Sequence, residues 1–230
     1  MRAFWIIAGL MVIASAATAQ DKSQYTLFNR TPAEQMRSFN TDRPTKSNVP
    51  YTVDAGHIQY EGDIFVYGYD DRNTPDANVT TWMLGNPTFK LGLTNYMDVE
   101  VEFSAYNIIR SQTRSTGSLS SVNGFGDTFT RFKINLLGND GGDAAFAVIP
   151  YAKWPTAPLG VGNRFVEAGA IAPLALSLPG GFTTILMGEF DYLKNPNDTG
   201  YHANFPALIN INREIVKGVT DRKSTRLNSS

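Results

Sequence analysis

The sequence predicts an all-β protein: an antiparallel up-and-down β-barrel that crosses a membrane with its strands. Three features of the 230 residues carry this reading. The hydrophobic period is two, not 3.6, over most of the chain from residue 57 onward. The predicted strands are 11–15 residues long, against about 5–6 for soluble strands and about 9–11 for a strand that crosses a bilayer. The connections alternate between long and short, as in barrels with extended outer loops and tight turns at the periplasmic end.

Eight strands are expected, near 57–69, 80–94, 98–109, 126–137, 144–154, 165–176, 181–193 and 202–216. The first gives Ile58, Tyr60, Ile64 and Val66 on one face and Gln59, Glu61 and Asp63 on the other. A polar loop from Asp70 to Val79 leads to the second, where Phe89, Leu91 and Leu93 alternate with Lys90, Gly92 and Thr94. A three-residue turn, Asn95-Tyr96-Met97, would place Leu91 opposite Val101, Phe89 opposite Phe103 and Lys90 opposite Glu102. On the third strand Val99, Val101, Phe103 and Ala105 alternate with Glu100, Glu102 and Ser104.

The longest loop is expected from Arg110 to Phe125. Strand four then sets Phe132, Ile134 and Leu136 against Arg131, Lys133 and Asn135. A brief Gly138–Asp143 turn, a long Pro155–Arg164 loop, a short Ser177–Gly180 turn and a long Lys194–Tyr201 loop separate the rest. Strand seven sets Leu186, Phe190 and Tyr192 against Glu189 and Asp191.

The apolar set is therefore expected to face lipid, where only a closed barrel satisfies every backbone group. The ionic set is expected to line a polar, hydrated interior, because isolated buried charges cost several kcal/mol each. This gives a charge ladder of Glu61, Asp63, Lys90, Glu100, Glu102, Arg131, Lys133, Glu189 and Asp191, with opposite signs on neighbouring strands. Two roles are open for it: bracing the wall, or setting a field in a permeation path.

Composition narrows the function classes. A net charge of −1 gives no indication of nucleic-acid partners. With no cysteine and only His57 and His202, at opposite rims, no metal site or cofactor is expected. No nucleophile, base and orienter come together, so an enzyme is not expected. "GFGD" at Gly124–Asp127 precedes a strand, not a helix, and so is not a phosphate loop.

Four segments are expected. Residues 1–19 read as a signal peptide, with Arg2, an apolar run from Phe4 to Ile13 and a small-x-small site at Ala17-Thr18-Ala19. Residues 20–50 are an N-terminal periplasmic segment and 51–220 the barrel. Residues 221–230, "DRKSTRLNSS", back-translate to DNA that resembles a widely used sequencing-adapter oligonucleotide. They are therefore expected to be an artefact on a C-terminally truncated chain, whose complete barrel would have about 10–14 strands.

Asp42-Arg43-Pro44, followed by Pro50-Tyr51-Thr52-Val53-Asp54-Ala55-Gly56-His57 and Glu61, resembles the N-terminal signature of a family of Gram-negative outer-membrane proteins. These are labelled "transporter" or "putative MetA-pathway of phenol degradation". "GFGDT", "IPYAKWPTAP" and "NREIVKG" (Gly124–Thr128, Ile149–Pro158 and Asn212–Gly218) resemble later blocks of the same family. The resemblance implies an outer-membrane β-barrel that moves hydrophobic or aromatic compounds. Its partners would be outer-membrane lipid, the barrel-assembly machinery and a small apolar solute. Asp42 and Arg43 are open to two readings: a turn tying the N-terminal segment to the barrel base, or a plug or substrate relay. Two competing functions are a barrel with a structural or partner-binding role and no open path, and a secreted soluble barrel that binds a lipophile.

Overall fold

A computed structural model describes residues 21–43, 46–72, 76–197, 199–216 and 219–227, with the backbone alone for 214–216, 219–222, 226 and 227. The expected signal peptide and Pro44 lie outside the described residues. Among those described, twelve strands form one antiparallel sheet, and one 3-10 turn, Ala33–Gln35, is the sole helical element.

The strands are β1 (Ile58–Asp70), β2 (Ala77–Thr94), β3 (Met97–Glu102), β4 (Tyr106–Thr113), β5 (Leu119–Gly124), β6 (Thr128–Leu137), β7 (Ala144–Trp154), β8 (Glu167–Leu178), β9 (Phe182–Lys194), β10 (Tyr201–Asn204), β11 (Ala207–Val216) and β12 (Val219–Leu227). Three pairs of them are single strands with a local interruption. β3 and β4 both pair with β2 in one register: Thr88 faces Glu102 and, four residues on, Leu84 faces Tyr106. The break falls where β2 presents Pro87, which has no N–H to donate, and Gly85, whose φ is 64°. β5 and β6 run in one register against β4 and β3, and β10 and β11 against β9, where Pro206 interrupts. Among the described residues the chain is thus a meander of nine long strands laid down in sequence order. Among these residues the sheet does not close: β1 pairs with β2 and β12 with β11, each on one side.

Each of the eight expected strands is present, and three details differ. The expected Arg110–Phe125 loop contains strand: β4 runs to Thr113 and β5 begins at Leu119. Its Ser- and Thr-rich sequence lacks an apolar period, yet backbone pairing requires none. The β2–β3 hairpin places Lys90 opposite Glu100, not Glu102, and Leu91 opposite Val99. A two-residue turn and an irregularity between Gly92 and Thr94 move the register by two, which leaves every side chain on its expected face. β12, the ninth strand, takes in Asp221–Leu227, which lack the apolar alternation of the other strands.

The faces are inside-out. On β6 Phe132 and Leu136 are exposed while Lys133 is 0% and Asn135 7% exposed. Phe89, Leu186, Phe190, Tyr192, Ile209 and Ile211 share the exposed face, and Lys90, Glu100, Asp191 and Asn210 the buried one. Residues 21–57 cover the buried face. Val49 and Tyr51 pack against Ala145, Ala175 and Ile185 from β7, β8 and β9. Ser47 accepts a hydrogen bond from Asn210 of β11 at 3.0 Å, while Asp42 meets Lys90 of β2 and Lys133 of β6. Asp42, Ser47, Val49 and Tyr51 thus touch strands from β2 to β11, which requires the sheet to curl around them.

Gly92 fixes how closely the segment approaches. Gly56 N–H bonds to Gly92 O at 2.9 Å, and a Cβ at Gly92 would stand 2.1 Å from Asp54 O. Gly92→Ala is expected to cost about 1–3 kcal/mol through overpacking. Limited proteolysis should then cut the N-terminal segment faster, before the sheet itself unfolds in a thermal melt.

Candidate functional site

The interior positions of β1, β2, β3 and β6 are ionic because period two puts their charged residues on one face, and the N-terminal segment completes them. Lys133 Nζ lies 3.0 Å from Glu100 and 3.0 Å from Asp42. Lys90 meets Asp42, Glu61 at 2.6 Å and Glu100 at 3.7 Å. Arg43 pairs with Asp63 and, at 3.3 Å, with Glu102, which also takes Arg131 at 2.8 Å. Eight of the charges singled out in the sequence form two ion-paired groups, Asp42, Glu61, Lys90, Glu100 and Lys133 in one and Arg43, Glu102 and Arg131 in the other, with Asp63 at its edge; Arg43 N–H joins them into one network by donating to Glu61 Oε2 at 3.2 Å.

Asp42 and Arg43 do not bond each other; each inserts into the ladder. Asp42 also turns the chain on itself by accepting from Val49 N–H at 2.5 Å. Burial works to raise the Asp42 carboxyl. The Lys133 and Lys90 ammonium groups, with hydrogen bonds from Lys90 and Val49, outweigh it and hold the group well below the usual carboxylate range.

The expected water-filled, uniformly polar interior is corrected on two counts. Lys90, Glu100 and Lys133 are at most 2% exposed, so their charges are balanced by ion pairs under the N-terminal segment, not by solvent. Further round, the inner face turns apolar: Ile149, Ile171, Met187 and Leu208 form one cluster on β7, β8, β9 and β11, flanked by Tyr151. Asp191 sits apart from the ladder, accepting from Tyr151 Oη at 2.6 Å and Asn204 at 3.1 Å, and Glu189 lies half-buried beside it. His57 and His202 are separate, bonded to Thr31 O and Asn195 respectively.

A second anchor was not singled out in the sequence. Arg37 donates to Asn95 O at 2.9 Å and pairs with Asp140 at 3.2 Å and Asp54 at 3.3 Å; Lys22 reaches Asp140 at 2.9 Å. Burial pushes the Asp140 carboxyl up, but hydrogen bonds from Lys22 and Asn95 and the Arg37 charge hold it below its ordinary value. Interior polar side chains also hold the segment's backbone: Asp98 accepts from Val53 N–H at 2.8 Å, and Asn135 donates to Pro50 O at 2.9 Å. Asp54 stands in the PYTVDAGH block and Asp140 in the Gly138–Asp143 turn. Both segments stand out in the sequence, but nothing in the spacing links them.

At the loop end, the motifs around Gly124–Thr128 and Ile149–Pro158 meet. Lys153 bonds Asn163 at 2.6 Å and pairs with Glu167 at 2.7 Å and Asp127 at 3.4 Å; Asp127 accepts from Ala157 N–H at 3.1 Å. The long β7–β8 loop is thereby folded over the β5–β6 junction, with Gly160 against Val122. Beneath this loop, among the described residues, lies a cavity of about 340 Å³. Among the described residues no cluster of His, Asp or Glu has metal-binding geometry.

Comparison with known proteins gives one positive result. The family model described as "Putative MetA-pathway of phenol degradation" matches residues 41–220, from the Asp42 anchor to the end of the predicted barrel. No curated protein and no solved structure matches the chain.

Because folding lowers the Asp42 carboxyl below its ordinary 3.8, its contribution is complete above that value and is lost as pH falls further. Pepsin should cut residues 38–52 faster as pH falls below about 4. In Asp42→Asn, cleavage should be raised and flat across the same range. Lys133→Met, which leaves Asp42 and Glu100 to share Lys90, should cost about 3–5 kcal/mol of unfolding free energy in urea, and Lys133→Met with Glu100→Gln less.

Proposed function

The chain belongs to the family of the "Putative MetA-pathway of phenol degradation", and from that premise we propose that it is an outer-membrane β-barrel that transports hydrophobic or aromatic compounds. One observation carries the membrane part. A soluble barrel hides its apolar side chains, whereas here Phe132 (46% exposed) and Leu136 (62%) flank the wholly buried Lys133. A continuous apolar exterior of this kind is satisfied by lipid. Tyr67, Tyr69 and Tyr106, exposed toward the loop end, suit an interfacial aromatic belt. The same arrangement disfavours a secreted soluble lipophile carrier. No helix among the described residues is long and apolar enough to span a membrane.

Transport rather than chemistry is favoured by the interior. It holds ionic and apolar sectors side by side and no nucleophile–base pair in the network described. The ladder acts as a clamp on the N-terminal segment, so a solute path along the axis depends on whether residues 21–57 move. That same segment supports the second reading, a barrel with a structural or partner-binding role and no open path, because it spans the interior from Lys90 to Asn210.

Conductance of the full-length protein in a planar bilayer separates the two. Transport with a movable segment predicts discrete current steps that become more frequent in Asp42→Asn. A silent wild type together with a silent Asp42→Asn would leave the closed-barrel reading. Heat-modifiable mobility on gels of outer-membrane fractions is expected in either case and would be lacking for a soluble barrel.

A further inference from the structure

The faces of the sheet do not keep one phase along its length. Glu102 and Ser104 line the 340 Å³ cavity together with Asn107 and Ile109. In an unbroken strand the first two would face opposite to the last two. The inward set therefore switches between Ser104 and Asn107. Burial agrees: Asn107 is 5% exposed and its neighbour Tyr106 41%. The switch lies beside Gly85, whose carbonyl accepts from Ala105 N–H at 2.7 Å. On the next strand Gly126, in place of a continued ladder, donates to Ser104 O at 2.9 Å. A seam thus crosses β2, β3–β4 and β5–β6 at one level, where the ladder is interrupted.

Phe103 stands in this seam. Its ring stacks with the outward Phe89 at 6.3 Å and Phe125 at 5.3 Å, yet the residue also lines the interior cavity. The cavity mixes apolar walls (Met83, Ile109, Val161) with buried polar groups (Asn107, Lys153). At its lower end Glu102 lines both this cavity and the one around Asp42 and Arg43, and pairs with Arg43 at 3.3 Å. With its amide nitrogen turned toward the acceptor, Asn86 donates to Phe103 O at 3.0 Å and accepts from Arg43 at 2.8 Å, which ties the N-terminal segment to the seam.

We propose that this cavity is a side-entry binding site for a small, largely apolar molecule with one hydrogen-bonding group, and that the Phe103 ring is the part of the wall through which that molecule exchanges with the surrounding lipid. The inference rests on the membrane reading above. It adds the place where a solute leaves the axis, above the Arg43–Glu102 ion pair. Asn107 and Ser104, joined to each other at 2.6 Å, supply the polar contact, and the ring swings outward along its own stack.

The test uses the full-length protein in phosphatidylcholine vesicles, with Phe103→Trp in a Trp82→Phe, Trp154→Phe background and benzyl alcohol as the probe. Brominated lipid chains should quench the emission of the indole introduced by Phe103→Trp, and benzyl alcohol should shift it saturably. Asn107→Ala should raise the half-saturating concentration about tenfold, the loss of one hydrogen bond. A linear, non-saturating response, or a saturation unchanged by Asn107→Ala, overturns the site. Quenching by aqueous iodide but not by brominated lipid, with Phe132→Trp quenched by the lipid as expected, overturns the side entry. Neither readout measures conductance, so failure of the transport reading is recorded separately. If Phe132→Trp also escapes the brominated lipid, it is the membrane reading that fails.

Discussion

A lysine ammonium held entirely away from water is the constraint on which the structure turns. Lys133 sits in the middle of β6 between two outward apolar residues, and period two gives it no choice of face. Once inside, it requires anions. The neighbouring strand supplies Glu100, and the N-terminal segment supplies Asp42 from 91 residues away in the chain. That one demand places residues 42–51 inside the curl of the sheet. The rest follows by packing: small interior residues on β7 and β8, Ala145 and Ala175, leave room for Val49 and Tyr51. Breaking one member of such a network costs more than its net worth, because its partners are left charged and dry.

The strands were legible because alternation is a local signal, repeated over ten or more residues, and sterics turn it directly into two faces. Register was less legible. Lys90 meets Glu100 because a two-residue turn and an irregularity at Gly92–Thr94 replace the expected three-residue turn, and a shift of two leaves no trace in the face pattern. The Arg110–Phe125 stretch concealed β5 for the opposite reason: polar side chains on both faces remove the period, while the backbone still pairs with β4. The phase switch at Gly85 and Ser104–Asn107 also defeats pattern reading, since it breaks the alternation while the register on either side stays the same.

The part of the interior network carried by the strands and by Asp42 and Arg43 was visible in the sequence. Arg37, Asp54 and Asp140 could not be assembled from spacing, because segment 21–57 has no regular period and its partners lie in turns. The expected hydrated lumen was too simple for the same reason. Alternation places charges inside but says nothing of what covers them, and here the cover is the protein's own N-terminal segment. The result is a barrel-type sheet with two levels, an ion-clamped lower interior and a mixed cavity beneath the β7–β8 loop, meeting at Glu102.

The orientation of the two faces underlies all of this, and spin-label accessibility along β6 reads it directly. Single labels at positions 131–136 of the reconstituted protein, probed with oxygen and with a water-soluble nickel complex, give the periodicity residue by residue. Oxygen contact should peak at 132, 134 and 136 and fall at 131, 133 and 135. The opposite phase, or nickel contact highest at 132 and 136, would mean that the apolar face is bathed in water, and the inside-out sheet would be wrong.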